Sequence, residues 1–228
     1  MKFTQESRPS TILVEETAKV FIQVFAGHPW FEVNKCGNCG HFFGPNNRFG
    51  ETCPRCTTGI LESAYTKEER VATISELFEK PNATVYLVEN QGHVEGFAWG
   101  YPRSLEKSIL KFEDSVKPLV ANRLKESLSA SAKTQFYSIA EIGLRETLRG
   151  KGLGKTLLSK LLNDAQKLDA VATVWTRKDT LLAPICHKAG FAQIFGPELV
   201  IKNGKVVETG TIIAGVDKDT PERVFYVN

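Results

Sequence analysis

No stretch of the chain approaches the roughly 18 consecutive apolar residues that a membrane-spanning helix requires. The opening Met1-Lys2-Phe3-Thr4-Gln5-Glu6-Ser7-Arg8 lacks the apolar segment of a secretory signal. These absences lead to the expectation of a soluble, cytoplasmic protein with no membrane partner. An excess of charge is also missing. The 29 Lys and Arg against 26 Asp and Glu leave a net charge of +3, too little to argue for nucleic acid or an anionic membrane from charge alone. Internal repeats and low-complexity segments are absent. With 42% hydrophobic and 24% charged residues, the 228-residue sequence excludes a disordered tail, a collagen and a coiled coil. The length suits one large domain, with room for a small inserted module.

The five cysteines are an odd count, and four of them fall in two Cys-x-x-Cys pairs, Cys36-Gly37-Asn38-Cys39 and Cys53-Pro54-Arg55-Cys56. In a reducing compartment this spacing points to metal before disulfide, although a disulfide pair is the alternative. Each pair offers two thiolates to one ion. Four sulfurs complete a tetrahedral shell with no position left for water, which describes a structural Zn²⁺ site of the zinc-ribbon kind. A redox Cys-x-x-Cys needs only one pair, and His41 is an outside candidate as a replacement ligand. The expected ribbon spans 34–58 and interrupts a discontinuous main domain formed by 1–33 and 59–228. Within it Lys35, Arg48 and Arg55 stand against Glu51, beside Phe42, Phe43 and Phe49. Such residues can grip single-stranded nucleic acid or cover the metal-centred core, and the second reading is preferred.

Outside the ribbon the chain reads as mixed α/β. Val14, Ala18, Phe21, Val24 and Phe25 predict a helix from about Thr11 to Phe25, closing near Gly27-His28-Pro29. Thr66-Lys67-Glu68-Glu69 fits a capping box, followed by the buried stripe Val71, Ile74 and Leu77 and a stop at Pro81. A hairpin is expected over Thr84–Val88 and Val94–Trp99. Leu105–Leu128 reads as helical, with Pro118 set to break or kink it. A strand over Phe136–Leu144 leads through a glycine-rich turn into a helix carrying Leu157, Leu158, Leu161, Leu162, Ala165 and Leu168. Then come a strand at Val171–Thr176, a helix at Leu181–Ala189, a strand at Phe191–Phe195 and a hairpin centred on Asn203-Gly204.

The segment Glu141-Ile142-Gly143-Leu144-Arg145-Glu146-Thr147-Leu148-Arg149-Gly150-Lys151-Gly152-Leu153-Gly154-Lys155 carries the strongest functional signal. Glycines let the backbone turn sharply and approach a ligand, and the unpaired N–H groups at a helix start attract anions. Two familiar phosphate loops fail on spacing. A nucleotide P-loop ending at Gly154-Lys155-Thr156 would place its first glycine at Arg149, and a dinucleotide fingerprint from Gly152 would need a small residue at Leu157.

What is left, Arg149-x-x-Gly152-x-Gly154, resembles the acetyl-coenzyme A loop of the GNAT N-acetyltransferase superfamily. Its setting adds to the likeness: the Glu141-Ile142-Gly143-Leu144 strand, a leucine-rich helix, and a closing His187-Lys188-Ala189-Gly190-Phe191 turn. The resemblance covers 11–33 and 60–200. It implies an α+β fold with a mixed central sheet flanked by helices. It also implies acetyl transfer from acetyl-CoA to a primary amine, on a small molecule or a protein. The family pattern assigns the cofactor to Ile142, Leu144, Arg149, Gly150, Lys151, Gly152, Leu153, Gly154 and Lys155. The Ile142 N–H faces the thioester oxygen and Leu144 the pantetheine arm. Gly143 is consistent with a strand bulge.

An alkyl amine is largely protonated at neutral pH, so a base is needed. Glu141 is the leading candidate, with pairing to Arg145 as its structural alternative and with Glu32 and His28 in reserve. Where many members carry a tyrosine acid this chain has Cys186, expected either as a substitute donor or as a small buried residue, with His187 read as a surface residue. Asp179 replaces an asparagine often found near the cofactor. The competing functional reading is an acetyl-CoA-binding adaptor or sensor whose ribbon contacts nucleic acid or protein. The acceptor and the oligomeric state stay open.

Overall fold

The structure is a computed structural model that describes residues 2–6, 9–110, 112, 114, 117–196, 199–202, 205–208 and 223–228. The expected turn at Asn203-Gly204 lies outside them. The chain divides into two compact units, the first from 1–80, 85–98 and 142–153, the second from 81–84, 99–141 and 154–228.

The first unit begins with strand β1 (Lys2–Glu6) and helix α1 (Thr11–Ala26), whose Ser10 side chain caps the N–H of Leu13. The helix buries Val14, Ala18, Phe21, Val24 and Phe25, the stripe its sequence spacing predicts. Three short strands follow, β2 (Asn34–Cys36), β3 (Phe42–Phe43) and β4 (Leu61–Ser63), in the order β3-β2-β4. This small sheet runs to Ser63, past the expected limit at Thr58, because β4 closes it over the buried Leu61. Helix α2 (Lys67–Glu79) starts with the expected capping box, Thr66 and Glu69 satisfying each other's N–H groups.

Strand β5 (Thr84–Asn90) pairs antiparallel with β1, from Lys2↔Glu89 to Glu6↔Val85. It turns at Gln91-Gly92 into β6 (His93–Arg103), which runs through both units. Phe21, Phe25, Tyr65 and Phe97 form an aromatic core. Phe21 stacks on Phe25 at 4.4 Å and on Phe97 at 5.7 Å, and meets Tyr65 edge-on at 5.2 Å.

In the second unit, residues 105–128 are divided between two helices, in keeping with the break expected of Pro118. α3 (Leu105–Ile109) and α4 (Lys117–Ser131) are separate, and Pro118 sits in the first turn of α4, where its missing N–H costs nothing. Strand β7 (Gln135–Leu144) is followed by a single 3₁₀ turn over Glu146–Leu148, then α5 (Leu153–Lys167), β8 (Ala170–Arg177), α6 (Leu182–Lys188) and β9 (Ala192–Phe195). A separate hairpin comprises β10 (Leu199–Lys202) and β11 (Lys205–Glu208).

The last described strand, β12 (Arg223–Val227), has no counterpart in the sequence expectations. It inserts between β8 and β9, antiparallel to both. Among the described residues the strand order is β1-β5-β6-β7 on the side of the first unit and β7-β8-β12-β9 in the second. Phe112, Val120, Leu124, Phe136, Val171, Phe225 and Val227 make the second core, with Trp175 against it.

Candidate active site

Strand β7 supplies the frame. Its parallel register with β8 runs from Gln135↔Ala170 to Ile139↔Val174, and β7 continues beyond it through Leu144. Along the paired part Phe136, Tyr137, Ser138 and Ile139 are buried, whereas Ala140, Glu141 and Ile142 are only half-buried. On the edge facing β8, the strand thus runs beyond the end of that ladder.

Gly143 is buried again, and a Cβ there would collide with the Phe97 ring. The glycine is therefore required by packing. Arg145, the alternative partner for Glu141, instead lies against Glu95: its N–H donates to the Glu95 carbonyl at 3.0 Å and its side chain forms an ion pair there at 3.4 Å.

After the 3₁₀ turn the chain adopts left-handed backbone at Gly150 (φ 75) and Gly152 (φ 79), conformations a side chain pays to enter. A Cβ on either glycine would meet nothing within 4 Å, so the space above the turn is open. Leu153 begins α5, whose first four N–H groups have no partner within the helix. Its first turn holds no carboxylate to cancel the positive end of the dipole, while Lys151 and Lys155 are exposed beside it. The turn fits a phosphate group.

Arg149, at the head of the turn, is bonded within the protein. Its backbone N–H donates to the Glu146 carbonyl at 3.0 Å, Nε donates to the Leu144 carbonyl at 3.1 Å, and one terminal nitrogen donates to the His28 carbonyl. Cys186 is fully buried, and burial pushes its thiol up to about 12. A thiol held there is a weaker acid than an ordinary one near 8.5. His187 is half-buried, with Nε2 3.1 Å from the Tyr226 hydroxyl, so it is not the surface residue expected. Asp179 is held by Arg177 in a bidentate pair at 2.9 and 2.6 Å.

In the first unit Glu32 is buried and accepts a hydrogen bond from the Tyr65 hydroxyl. The Arg70 guanidinium lies 5.0 Å from the centre of the Tyr65 ring and 5.3 Å from that of Phe21. Tyr65 was not a sequence candidate; being the second residue after β4, it had no spacing signal to link it to Glu32. His28 is exposed.

The four expected cysteine ligands converge. All four sulfurs lie within 4.8 Å of one another, with Cys36 and Cys56 at 3.6 Å and Cys39 and Cys53 at 3.8 Å. A tetrahedron with metal–sulfur bonds of about 2.3 Å has edges of about 3.8 Å. A disulfide would bring two sulfurs to about 2.05 Å, and all five cysteines are free. Backbone N–H groups of Asn38 and Cys39 point to Cys36 Sγ at 3.4 Å, and that of Cys56 to Cys53 Sγ at 3.5 Å. Donors from Thr58 and Gly59 hold the Cys56 thiol down at about 5. Gly59 has no side chain because a Cβ would strike Cys36 Sγ. The donor set suits a soft metal ion. His41 instead sits 2.7 Å from Arg55 through Nδ1.

Comparison with known proteins decides the class. Residues 55–191 match the profile of the acetyltransferase (GNAT) family. The chain belongs to that family.

It is accordingly an N-acetyltransferase with a mixed α/β GNAT fold. No curated protein sequence matches it. Among solved structures, a polyamine N-acetyltransferase of Drosophila melanogaster is 8% identical, with a TM-score of 0.56 over 100% of this chain and 99% of that one. A mosquito arylalkylamine N-acetyltransferase-like protein, 5b, is 11% identical, with 0.55 over 100% and 99%. An acetyltransferase structure from Salmonella typhimurium, solved with its cofactor acetyl-CoA, is 12% identical, with 0.52 over 100% and 94%. At these identities the likeness is one of GNAT fold.

Proposed function

We propose that this GNAT enzyme transfers the acetyl group of acetyl-CoA directly to a primary amine at the end of β7, with a structural zinc ion in the ribbon. The observation that carries the reading is the pair of left-handed glycines, 150 and 152, opening a turn onto the start of α5 directly after β7. Backbone N–H groups from Gly150 to Lys155, with the charges of Lys151 and Lys155, would hold the diphosphate. Leu144 would flank the pantetheine arm.

The thioester supplies an activated acyl carbon. The Ile142 N–H, on the stretch of β7 beyond its ladder with β8, would donate to the carbonyl oxygen as negative charge builds there. A fixed donor of this kind contributes about 3 kcal/mol in comparable sites. Glu141 takes the proton of the attacking amine, directly or through water, since an alkylammonium with a pKa of about 10.4 must lose it first. The amine nitrogen bonds to the acyl carbon as the carbon–sulfur bond breaks, and CoA leaves as a thiolate that takes a proton from water; the buried Cys186 is assigned to packing. Cys36, Cys39, Cys53 and Cys56 would hold zinc with no open position, so the ion would act through structure.

The acceptor class is set by the amine side, and candidates include the polyamines and arylalkylamines named for two fold relatives, together with peptide amino termini and protein lysines. The test is thiol release from acetyl-CoA across these four amine classes. Sustained, amine-dependent release is expected with at least one. Tight acetyl-CoA binding with no release from any would overturn the reading in favour of a ligand-binding adaptor.

A further inference from the structure

We infer that Arg149 is a positioning residue for the amine side of the reaction, a strut that fixes the Gly27–Val33 segment against the end of β7. The inference rests on the proposed reading that the amine meets the acetyl group beside Ile142.

Three donors of Arg149 serve three separate carbonyls: Glu146 through the backbone, Leu144 and His28 through the guanidinium. Leu144 ends β7, and His28 follows the C-terminal end of α1. The last carbonyls of a helix lack intrahelical partners and carry negative partial charge. The last turn of α1 holds no basic residue of its own. Arg149, 121 positions along the chain, brings a cation to the His28 carbonyl, one residue past the C-cap Gly27. A planar guanidinium can reach two acceptors at once in fixed directions, which a lysine ammonium on a flexible stem does not reproduce.

The segment it holds is closely determined. Phe31 takes φ 50, an uncommon conformation for a bulky residue. Its N–H donates to Gly27 at 2.9 Å, that of Glu32 to Phe25 at 2.8 Å, and that of Val33 to Phe43 at 3.0 Å. The segment presents Trp30, packed 5.1 Å from Phe25, and the Glu32–Tyr65 pair. A second, independent path ties the same residues to β7: Tyr65 abuts Phe21, Phe21 stacks on Phe97, and Phe97 fills the place a side chain on Gly143 would need. Arg149 also opens the glycine turn. Its side chain holds the amine-side residues, whereas the backbone beyond it, from Gly150 on, serves the diphosphate.

The test compares Arg149→Lys and Arg149→Met with the wild type. Amide hydrogen exchange at Phe31, Glu32 and Val33 is expected to rise about tenfold or more in both variants. Acetyl-CoA affinity by calorimetry should stay within about threefold. With spermidine, tyramine or an alanyl peptide, whichever supports thiol release in the wild type, the amine KM should rise about tenfold while kcat changes less than about threefold.

If Arg149→Lys behaves as wild type while Arg149→Met loses acetyl-CoA affinity in a salt-dependent way, Arg149 is a phosphate ligand and the inference falls. Unchanged exchange in both variants also overturns it. Failure of the wild type to bind acetyl-CoA is a different result, since it removes the proposed function itself and with it the reaction that Arg149 would serve.

Discussion

Gly152 and His187 illustrate how single residues carry opposite kinds of information. The glycine was legible in the sequence because a turn between strand and helix leaves few other uses for it. Valine at 152 must enter the left-handed region, a cost of about 1–2 kcal/mol, and adds bulk where the ligand approaches. Gly152→Val is therefore expected to weaken acetyl-CoA binding at least tenfold by calorimetry through the added bulk, while the backbone cost shows separately as an unfolding midpoint lower by a few degrees. His187 was not legible, because its partner Tyr226 belongs to a strand 39 positions away. Desolvation holds its pKa below the ordinary value, so the native protein prefers the neutral ring. The sign follows from linkage. Its contribution is complete above the unfolded value of about 6.5 and is lost as pH falls through the lower native value. Denaturant titrations between about pH 7.5 and 5 should show a decline in wild-type stability that is shallower in His187→Gln; parallel curves for the two proteins would contradict the assignment.

Among the elements, α2 and the cysteine-bearing sheet were the most readable. The Thr66-x-x-Glu69 box is a local pattern with a local cause, and Thr66→Ala should cost about 1 kcal/mol in chemical denaturation. The two cysteine pairs were equally plain, but the closing strand of their sheet was not. Leu61-Glu62-Ser63 lacks a strand pattern of its own and is defined by pairing with Asn34–Cys36. Among the described residues the buried apolar cluster of this sheet consists of Cys36, Cys53 and Leu61 backed by Phe43 and Cys56, few residues for a sheet to stand on without a staple. Protein purified with zinc should carry about one ion per chain. A strong chelator under reducing conditions should release it and make residues 34–63 sensitive to protease, with zinc restoring resistance. Resistance unchanged after full metal loss would show that the ribbon stands by itself.

For the molecule as a whole, periodicity revealed the helices and adjacent hairpins, whereas sheet order stayed hidden wherever partners are distant. Lys2–Glu6 has a single apolar side chain and pairs with residues beyond position 84. Arg223–Val227 has the β-branched and aromatic composition of a buried strand, yet no turn signal ties it to 173–177 or 192–195. Ligand binding offers a global check on the proposed function. Acetyl-CoA at about 100 times its dissociation constant should raise unfolding free energy by about 2.7 kcal/mol. The shift should be much reduced in Gly152→Val.

The position of β12 also sets an order of events during synthesis. Every residue of the first unit has been made once Leu153 is joined, whereas the second cannot seat β12 between β8 and β9 until Val227 is added. At about 5–20 residues per second, those roughly 70 residues take on the order of 4–15 seconds. Once made, and until β12 arrives between them, the nascent β8 and β9 present open edges of the kind that invite pairing with other chains.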